Sequence, residues 1–189
     1  MSRVARLKDI LAGAHANHAL EIMKEPTLKD AHIFCLLHNI PSQQYGTLLE
    51  KYIIAKSNYK KNKSADCAGD CATGLGNKEI KASLGGARHN KFNYVQIRLS
   101  HDTVSYILTA YHLTPENVGD EGELYVFDVP KEALKDIIVA HGGYAHGTIK
   151  ENGNITSETM DETKEYAIRP TFGSECWKKL TEFRVESKA

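Results

Sequence analysis

The sequence predicts a mixed α/β domain, and three observations lead to this fold class. The first third of the chain carries apolar residues at helical spacing, interrupted near Pro26 and Pro41. Residues 57–130 alternate short β-branched and aromatic segments with turn residues. A helical pattern returns after Pro130. Helices followed by consecutive strands and further helices favour one mixed central sheet flanked by helices.

The helices are predicted from apolar periodicity and from their boundaries. Residues 4–24, 28–38 and 43–55 each place apolar side chains three and four positions apart, so residues 1–40 form a helical N-terminal segment. KEALKDIIVAH predicts a helix over 131–141 that Gly142 and Gly143 end. SECWKKLTEFRVE predicts an amphipathic helix over 174–186.

The strands are predicted from alternation and from turn residues. SADCAGDCAT and KEIKAS flank the turn residues GLGN, which predicts a hairpin within residues 64–83. SYILTAYHL (105–113) and ELYVFDVP (123–130) predict two further strands, and YAIRP (166–170) a last one. FNYVQIRL (92–99) is compatible with a short helix or a strand, and the sequence leaves this choice open.

The formal net charge is zero, yet the charges are unevenly distributed. Residues 51–98 contain ten basic and three acidic side chains, whereas residues 99–189 contain nine basic and sixteen acidic ones. A basic middle segment followed by an acidic end predicts a surface that faces a polyanion. The alternative is an ordinary solvated face on which charges cluster by chance.

Length and composition restrict the class of protein. The 189 residues suit one domain, and 25% charged residues with 41% hydrophobic ones indicate a globular chain. No apolar run approaches the ~18 residues of a membrane helix, and the N-terminal residues lack the apolar core of an export signal. We therefore expect no membrane partner, a cytoplasmic location and reduced cysteines.

The predicted hairpin carries the residues with the clearest chemistry. Alternate strand residues share a face, so Glu79 and Lys81 point the same way and Ile80 points into the opposite layer. A tight turn brings Asp70 beside Glu79, so that two carboxylates and an ammonium meet. Such an oxygen-rich group suits Mg²⁺, which polarises a phosphoryl oxygen, while Lys81 orients water. The alternative is a hairpin with ordinary surface charges.

This run of residues resembles the signature of the PD-(D/E)XK nuclease superfamily, and most of all that of type II restriction endonucleases. Asp70, a turn, and then Glu79-Ile80-Lys81 stand in the order of the motif, and Glu50 takes the place of the acid on a preceding helix. The resemblance covers residues 42–130 as the catalytic core. LGGARHNKFNYVQIRLSHDTVSYILTAYHL is similar to the polar loop, helix and strand that follow the ExK strand in such nucleases.

The resemblance implies a restriction-endonuclease-like fold and a function. It implies Mg²⁺-dependent hydrolysis of double-stranded DNA at a short specific sequence, without a nucleotide cofactor. Asp70, Glu79 and Glu50 would be metal ligands, and Lys81 would position or activate water. A homodimer is expected, because two cuts in a symmetric site require two centres related by a two-fold axis.

Three features depart from the motif or leave it ambiguous. Gly69 stands where the superfamily has its proline. Asp66 shares the face of Asp70 and competes with it as the metal ligand. The phase of its helix decides whether Glu50 faces the site or solvent.

Basic and amide side chains around the hairpin suit duplex DNA. Such cations hold phosphates, and amides read base edges. Arg98 is equally compatible with a structural ion pair or with a DNA contact. The predicted DNA-binding residues are Lys60, Lys61, Lys63, Arg88, His89, Lys91, Asn93 and Gln96.

The cysteines near the hairpin and two histidines are given no catalytic or metal-binding role. Cys67 and Cys71 lack the spacing of a zinc knuckle and are predicted to be buried thiols. His141 and His146 flank a Gly-rich stretch and are given no role. Two rival functions remain open: a structure-specific or repair nuclease with the same core, and a DNA-binding subunit that does not cleave.

Overall fold

A computed structural model describes residues 50–51, 53–63, 68–83, 90–112 and 122–185. The predicted N-terminal helical segment, residues 1–40, lies outside the described residues. So do Asp66, Cys67, Arg88 and His89. The described part begins in a helix, α1, at residues 50–51 and 53–56, which agrees with the end of the helix predicted over 43–55.

A five-stranded mixed sheet forms the centre of the described part. Its order is β1-β2-β3-β5-β6, with antiparallel neighbours except for the parallel pair β3 and β5. The predicted hairpin is confirmed as β2 and β3, and the strands predicted over 105–113 and 123–130 are confirmed as β5 and β6. The strands of this sheet are β1 (Lys60–Lys61), β2 (Cys71–Thr73), β3 (Gly76–Ser83), β5 (Ser105–His112) and β6 (Glu123–Pro130).

A second, three-stranded sheet has the order β4-β8-β7. Residues 92–99 therefore contain a strand, which resolves the choice that the sequence leaves open. The resemblance to nucleases predicts a helix after the ExK strand. This prediction is wrong for residues 90–104, which contain β4 and a turn. Here the chain crosses between the parallel strands β3 and β5 through β4 of the second sheet. Its strands are β4 (Tyr94–Arg98), β7 (Gly142–Tyr144) and β8 (Glu165–Ile168).

Three further helices follow the central sheet. α2 spans Lys131–His141, α3 spans Ile149–Asn152 and α4 spans Glu175–Thr181. The N–H of Gly142 donates to the carbonyl of Ile138, as expected at the predicted helix end. Within the described ranges, no helix is long and apolar enough to cross a bilayer.

The two faces of the central sheet pack into different hydrophobic clusters. The larger cluster lies between the two sheets, α2 and α4, and includes Tyr106, Leu108, Phe127 and Trp177. The smaller cluster lies under α1, where Ile53 packs with Ile80, Ile107 and Val126, and with Cys71. Because alternate residues of a strand face opposite ways, burial of Ile80 in the smaller cluster directs Glu79 and Lys81 to the other face.

Candidate active site

The hairpin places Asp70 beside the residues of the ExK motif. Cys71 pairs with Lys78 across the ladder, and the N–H of Asp70 donates to the carbonyl of Lys78 over 2.9 Å. Oδ2 of Asp70 accepts the backbone N–H of Ile80 at 2.7 Å. The carboxyl of Asp70 is therefore fixed at the residue between Glu79 and Lys81.

Glu79 and Lys81 form a close ion pair on one face of β3. Nζ of Lys81 lies 2.6 Å from Oε1 of Glu79, and both side chains are largely shielded from solvent. The strand alternation predicts this shared face. A buried carboxylate needs such a partner, because an isolated charge is costly to remove from water.

The electrostatics of Asp70 show how close the acidic groups are. Burial, together with the charges of Glu79 and Glu50, raises the pKa of Asp70 from 3.8 to about 6. The hydrogen bond from Ile80 and the charge of Lys81 act in the opposite direction. Three carboxylates and an ammonium therefore interact here, with an excess of negative charge that a cation would relieve.

Glu50 lies at the edge of this group and has a partner of its own. Its Oε1 is 3.2 Å from Nζ of Lys61, and its side chain is only 20% exposed. The helix phase therefore does not turn Glu50 fully to solvent. Lys61, predicted to hold a DNA phosphate, instead pairs with Glu50 in this structure.

The turn before Asp70 explains why glycine stands at position 69, where the motif that the chain resembles has a proline. Gly69 has a φ of +69°, which proline cannot adopt. A Cβ at this position would lie 2.7 Å from the carbonyl oxygen of Lys78. The side chain of Asn62 also holds the turn, since Nδ2 donates to the carbonyl of Ala68 at 2.9 Å. The sequence analysis assigned no role to Asn62, although this residue directly follows the basic strand β1.

His101 is a second residue that sequence reasoning missed. Its Nδ1 lies 3.6 Å from Oε2 of Glu79, and its side chain is 16% exposed. His101 belongs to the turn between β4 and β5, twenty-two residues after Glu79 in the chain. No local motif marks this position, because only the parallel pairing of β3 with β5 brings the turn next to Glu79.

The predicted DNA-binding residues occupy two places. Lys60, Lys61 and Lys63 lie on or just after the edge strand β1 and are exposed. Lys91, Asn93 and Gln96 are exposed at or near β4. The N–H of Asn93 donates to Oγ of Ser83 at the end of β3, so the beginning of β4 lies near the ExK strand.

Gln96 has an unusual backbone. Its φ is +54°, and the pairing of β4 with β8 shifts register between Tyr94 and Ile97. Such a bulge turns one side chain away from the regular alternation of its strand. Arg98, two residues further along β4, donates from Nε to Oε1 of Glu165 at 2.6 Å, so the structural ion pair is formed.

Two other expectations concern metal-binding side chains. Cys71 is fully buried with a free thiol, so the predicted buried thiol is confirmed, and burial raises the pKa of this thiol to about 11. Within the described ranges, no three histidine, cysteine, aspartate or glutamate side chains converge on one point as a preformed metal cage. The carboxylates of Asp70 and Glu79 are instead hydrogen-bonded to Ile80 and Lys81.

A buried polar network supports β3 from its other face. Nζ of Lys78 donates to Asp128, and Oγ of Ser105 donates to the second oxygen of the same carboxylate at 2.6 Å. Lys78 is 5% exposed, so its charge is compensated inside the protein. This network joins three strands, β3, β5 and β6, directly behind the candidate site.

Comparisons with known proteins add no family assignment. No protein-family model matches the chain, and no curated protein matches it significantly.

Proposed function

We propose that this chain is a Mg²⁺-dependent endonuclease that hydrolyses phosphodiester bonds of double-stranded DNA at a short specific sequence. One observation carries the proposal. Asp70, Glu79 and Lys81 meet at neighbouring strands, and the charge of Glu79 helps to raise the pKa of Asp70 to about 6. Groups with such perturbed ionisation cluster at catalytic sites.

The donor set suits a hard divalent cation. Asp70 and Glu79 supply carboxylate oxygens, which Mg²⁺ prefers, and Glu50 is near enough to influence Asp70. Mg²⁺ held by these residues would supply Lewis-acid polarisation of the scissile phosphoryl group. The negative charge that the three carboxylates accumulate is the physical reason for expecting a cation here.

Lys81 is assigned the water-positioning role. Its ammonium lies 2.6 Å from Glu79, and the side chain of Lys81 is only 18% exposed. In the working site Lys81 would hold the attacking water in line with the phosphorus and balance the developing negative charge. The exposed Lys60, Lys63 and Lys91 would hold the duplex through its phosphates.

The resemblance to type II restriction endonucleases supports the substrate and the homodimeric assembly. A dimer presents two centres to the two strands of a symmetric site. Restriction activity therefore requires discrete fragments from a long duplex, whereas a repair or structure-specific nuclease would cut only branched or damaged DNA.

The test is incubation of the full chain with a long duplex and Mg²⁺, followed by sequencing of the ends. We expect ends at one short sequence. Glu79→Gln and Lys81→Ala should each reduce cleavage by at least about 100-fold, because each removes a group that acts on the reacting atoms. Lys178→Ala is the control, since Lys178 lies on α4 and pairs with Glu175. Binding without cleavage would instead favour the non-cleaving subunit.

A further inference from the structure

The turn between β4 and β5 is firmly held beside the candidate site. The carbonyl of His101 accepts Nζ of Lys131 at 3.0 Å. The N–H of Val104 donates to the carbonyl of Asn77 at 2.8 Å, and Nδ2 of Asn77 donates to the carbonyl of Asp102. These bonds tie the turn to β3 and to the beginning of α2, so its side chains have defined positions.

His101 approaches the oxygen of Glu79 that Lys81 leaves available. Lys81 binds Oε1, whereas Nδ1 of His101 faces Oε2 at 3.6 Å. Nδ1 is buried, and among the described residues it has no hydrogen-bond partner. A buried nitrogen so placed needs an acceptor, and the carboxylate of Glu79 is the acceptor next to it.

The same turn also reaches the segment that carries Asp70. A Cβ built on Gly69 would lie 2.8 Å from Cγ2 of Thr103, so the turn packs directly against the residue before Asp70. One short, anchored turn therefore lies against both acid-bearing segments, the turn before Asp70 and β3 at Glu79. It is suited to keep the two carboxylates in a constant relative orientation.

We propose that His101 is a positioning residue of the cation site, which holds the carboxylate of Glu79 by donating its Nδ1–H to Oε2. This inference rests on the proposed function. In the working site the pair closes from 3.6 Å to a hydrogen bond, and Glu79 stays oriented when Lys81 turns to water. Residues that orient metal ligands in this way typically contribute 10–100-fold to metal affinity.

The experiment measures Mn²⁺ binding to the full chain by electron paramagnetic resonance, without DNA. Three substitutions of His101 show which ring nitrogen is needed. Asn places an N–H near the position of Nδ1, Gln places an N–H near the position of Nε2, and Ala places no N–H at either position. We expect His101→Ala and His101→Gln to raise the Kd by about 10-fold or more, and His101→Asn to remain within about 3-fold of wild type. Thermal unfolding confirms that each variant is folded.

His146→Asn is the matched control, because His146 is 76% exposed and lies beside Glu165 instead. We expect it to leave the Kd unchanged. Equal Kd values for wild type and all three His101 variants would overturn the positioning role. If His101→Ala does not fold, the difference between the Asn and Gln variants decides alone.

The two proposals fail in different ways. Wild-type binding that Glu79→Gln abolishes and His101→Ala leaves intact would overturn only the role of His101. If wild type binds no Mn²⁺ at millimolar concentration, the cation site is wrong and the positioning role is overturned with it. Loss of binding in His101→Ala with rescue by Asn supports both.

Discussion

The carboxylate of Asp70 accepts the backbone N–H of Ile80, the residue that separates Glu79 from Lys81, at 2.7 Å. This bond joins the two strands of the hairpin at its chemically important point. It also explains why a shielded carboxyl whose pKa is raised to about 6 remains in place: the backbone donor offsets part of the cost of burial and of the charge of Glu79.

Asp70→Asn is expected to abolish cleavage and to stabilise the fold. Asn retains an oxygen for the N–H of Ile80 but removes a charge that burial and Glu79 disfavour. Because the carboxyl is partly accessible and therefore screened, we expect the free energy of unfolding at pH 8 to rise by about 1–2 kcal/mol. Urea denaturation measures this change.

The stability of wild type and of Asp70→Asn, measured as a function of pH, tests the direction of the pKa shift of Asp70. The pKa of Asp70 is about 6 in the folded chain and 3.8 in an unperturbed Asp, so the folded state binds more protons between these values. Wild type should therefore lose stability as the pH rises from about 4 to 6 and stay at the lower level above that. The advantage of Asp70→Asn should grow over this interval, and an advantage that is constant with pH would contradict the shifted pKa.

Gly69→Ala is expected to destabilise the protein by about 2–4 kcal/mol, because the positive φ and two close contacts oppose any side chain. Gly74→Ala is the matched control, since a Cβ there would meet nothing within 4 Å. Guanidinium denaturation compares the two. Equal losses would show that the turn before Asp70 tolerates a Cβ.

Gln96→Gly is expected to separate stability from sequence specificity. A left-handed backbone costs a Gln about 1–2 kcal/mol, so Gly should raise the free energy of unfolding by up to about 1 kcal/mol. If the exposed amide reads a base, the variant should also cut at relaxed sites. Asn58→Gly is the control, because Asn58 has a φ of +53°. Unchanged site preference would remove Gln96 from the DNA-reading residues.

Lys60→Ala is expected to weaken duplex binding without changing its sequence preference. Each phosphate contact contributes about 0.9 to the slope of log K against log salt, so the variant should lose a slope of about one. Lys178→Ala, on α4, should leave the slope intact. Fluorescence anisotropy at several salt concentrations measures both, and equal slopes for wild type and Lys60→Ala would place the duplex elsewhere.

Much of the described fold follows from local sequence patterns. The bounds of β6 and α2 agree with their apolar patterns and with the proline and glycines at their ends. The shared face of Glu79 and Lys81 follows from strand alternation alone, and the turn between β2 and β3 from its glycines. These features depend on neighbours within a few residues, where backbone geometry and side-chain period are decisive.

Contacts between distant segments were not predictable in the same way. Residues 92–99 contain β4 because Tyr94 and Ile97 are buried against β8, about seventy residues later in the chain. His101 reaches Glu79, and Lys78 reaches Asp128, only once β3 pairs with β5 and β5 with β6. The sequence by itself determined which side chains alternate along each strand. Which of them meet, and how their charges shift one another, depended on strand pairing and burial, which no local pattern encodes.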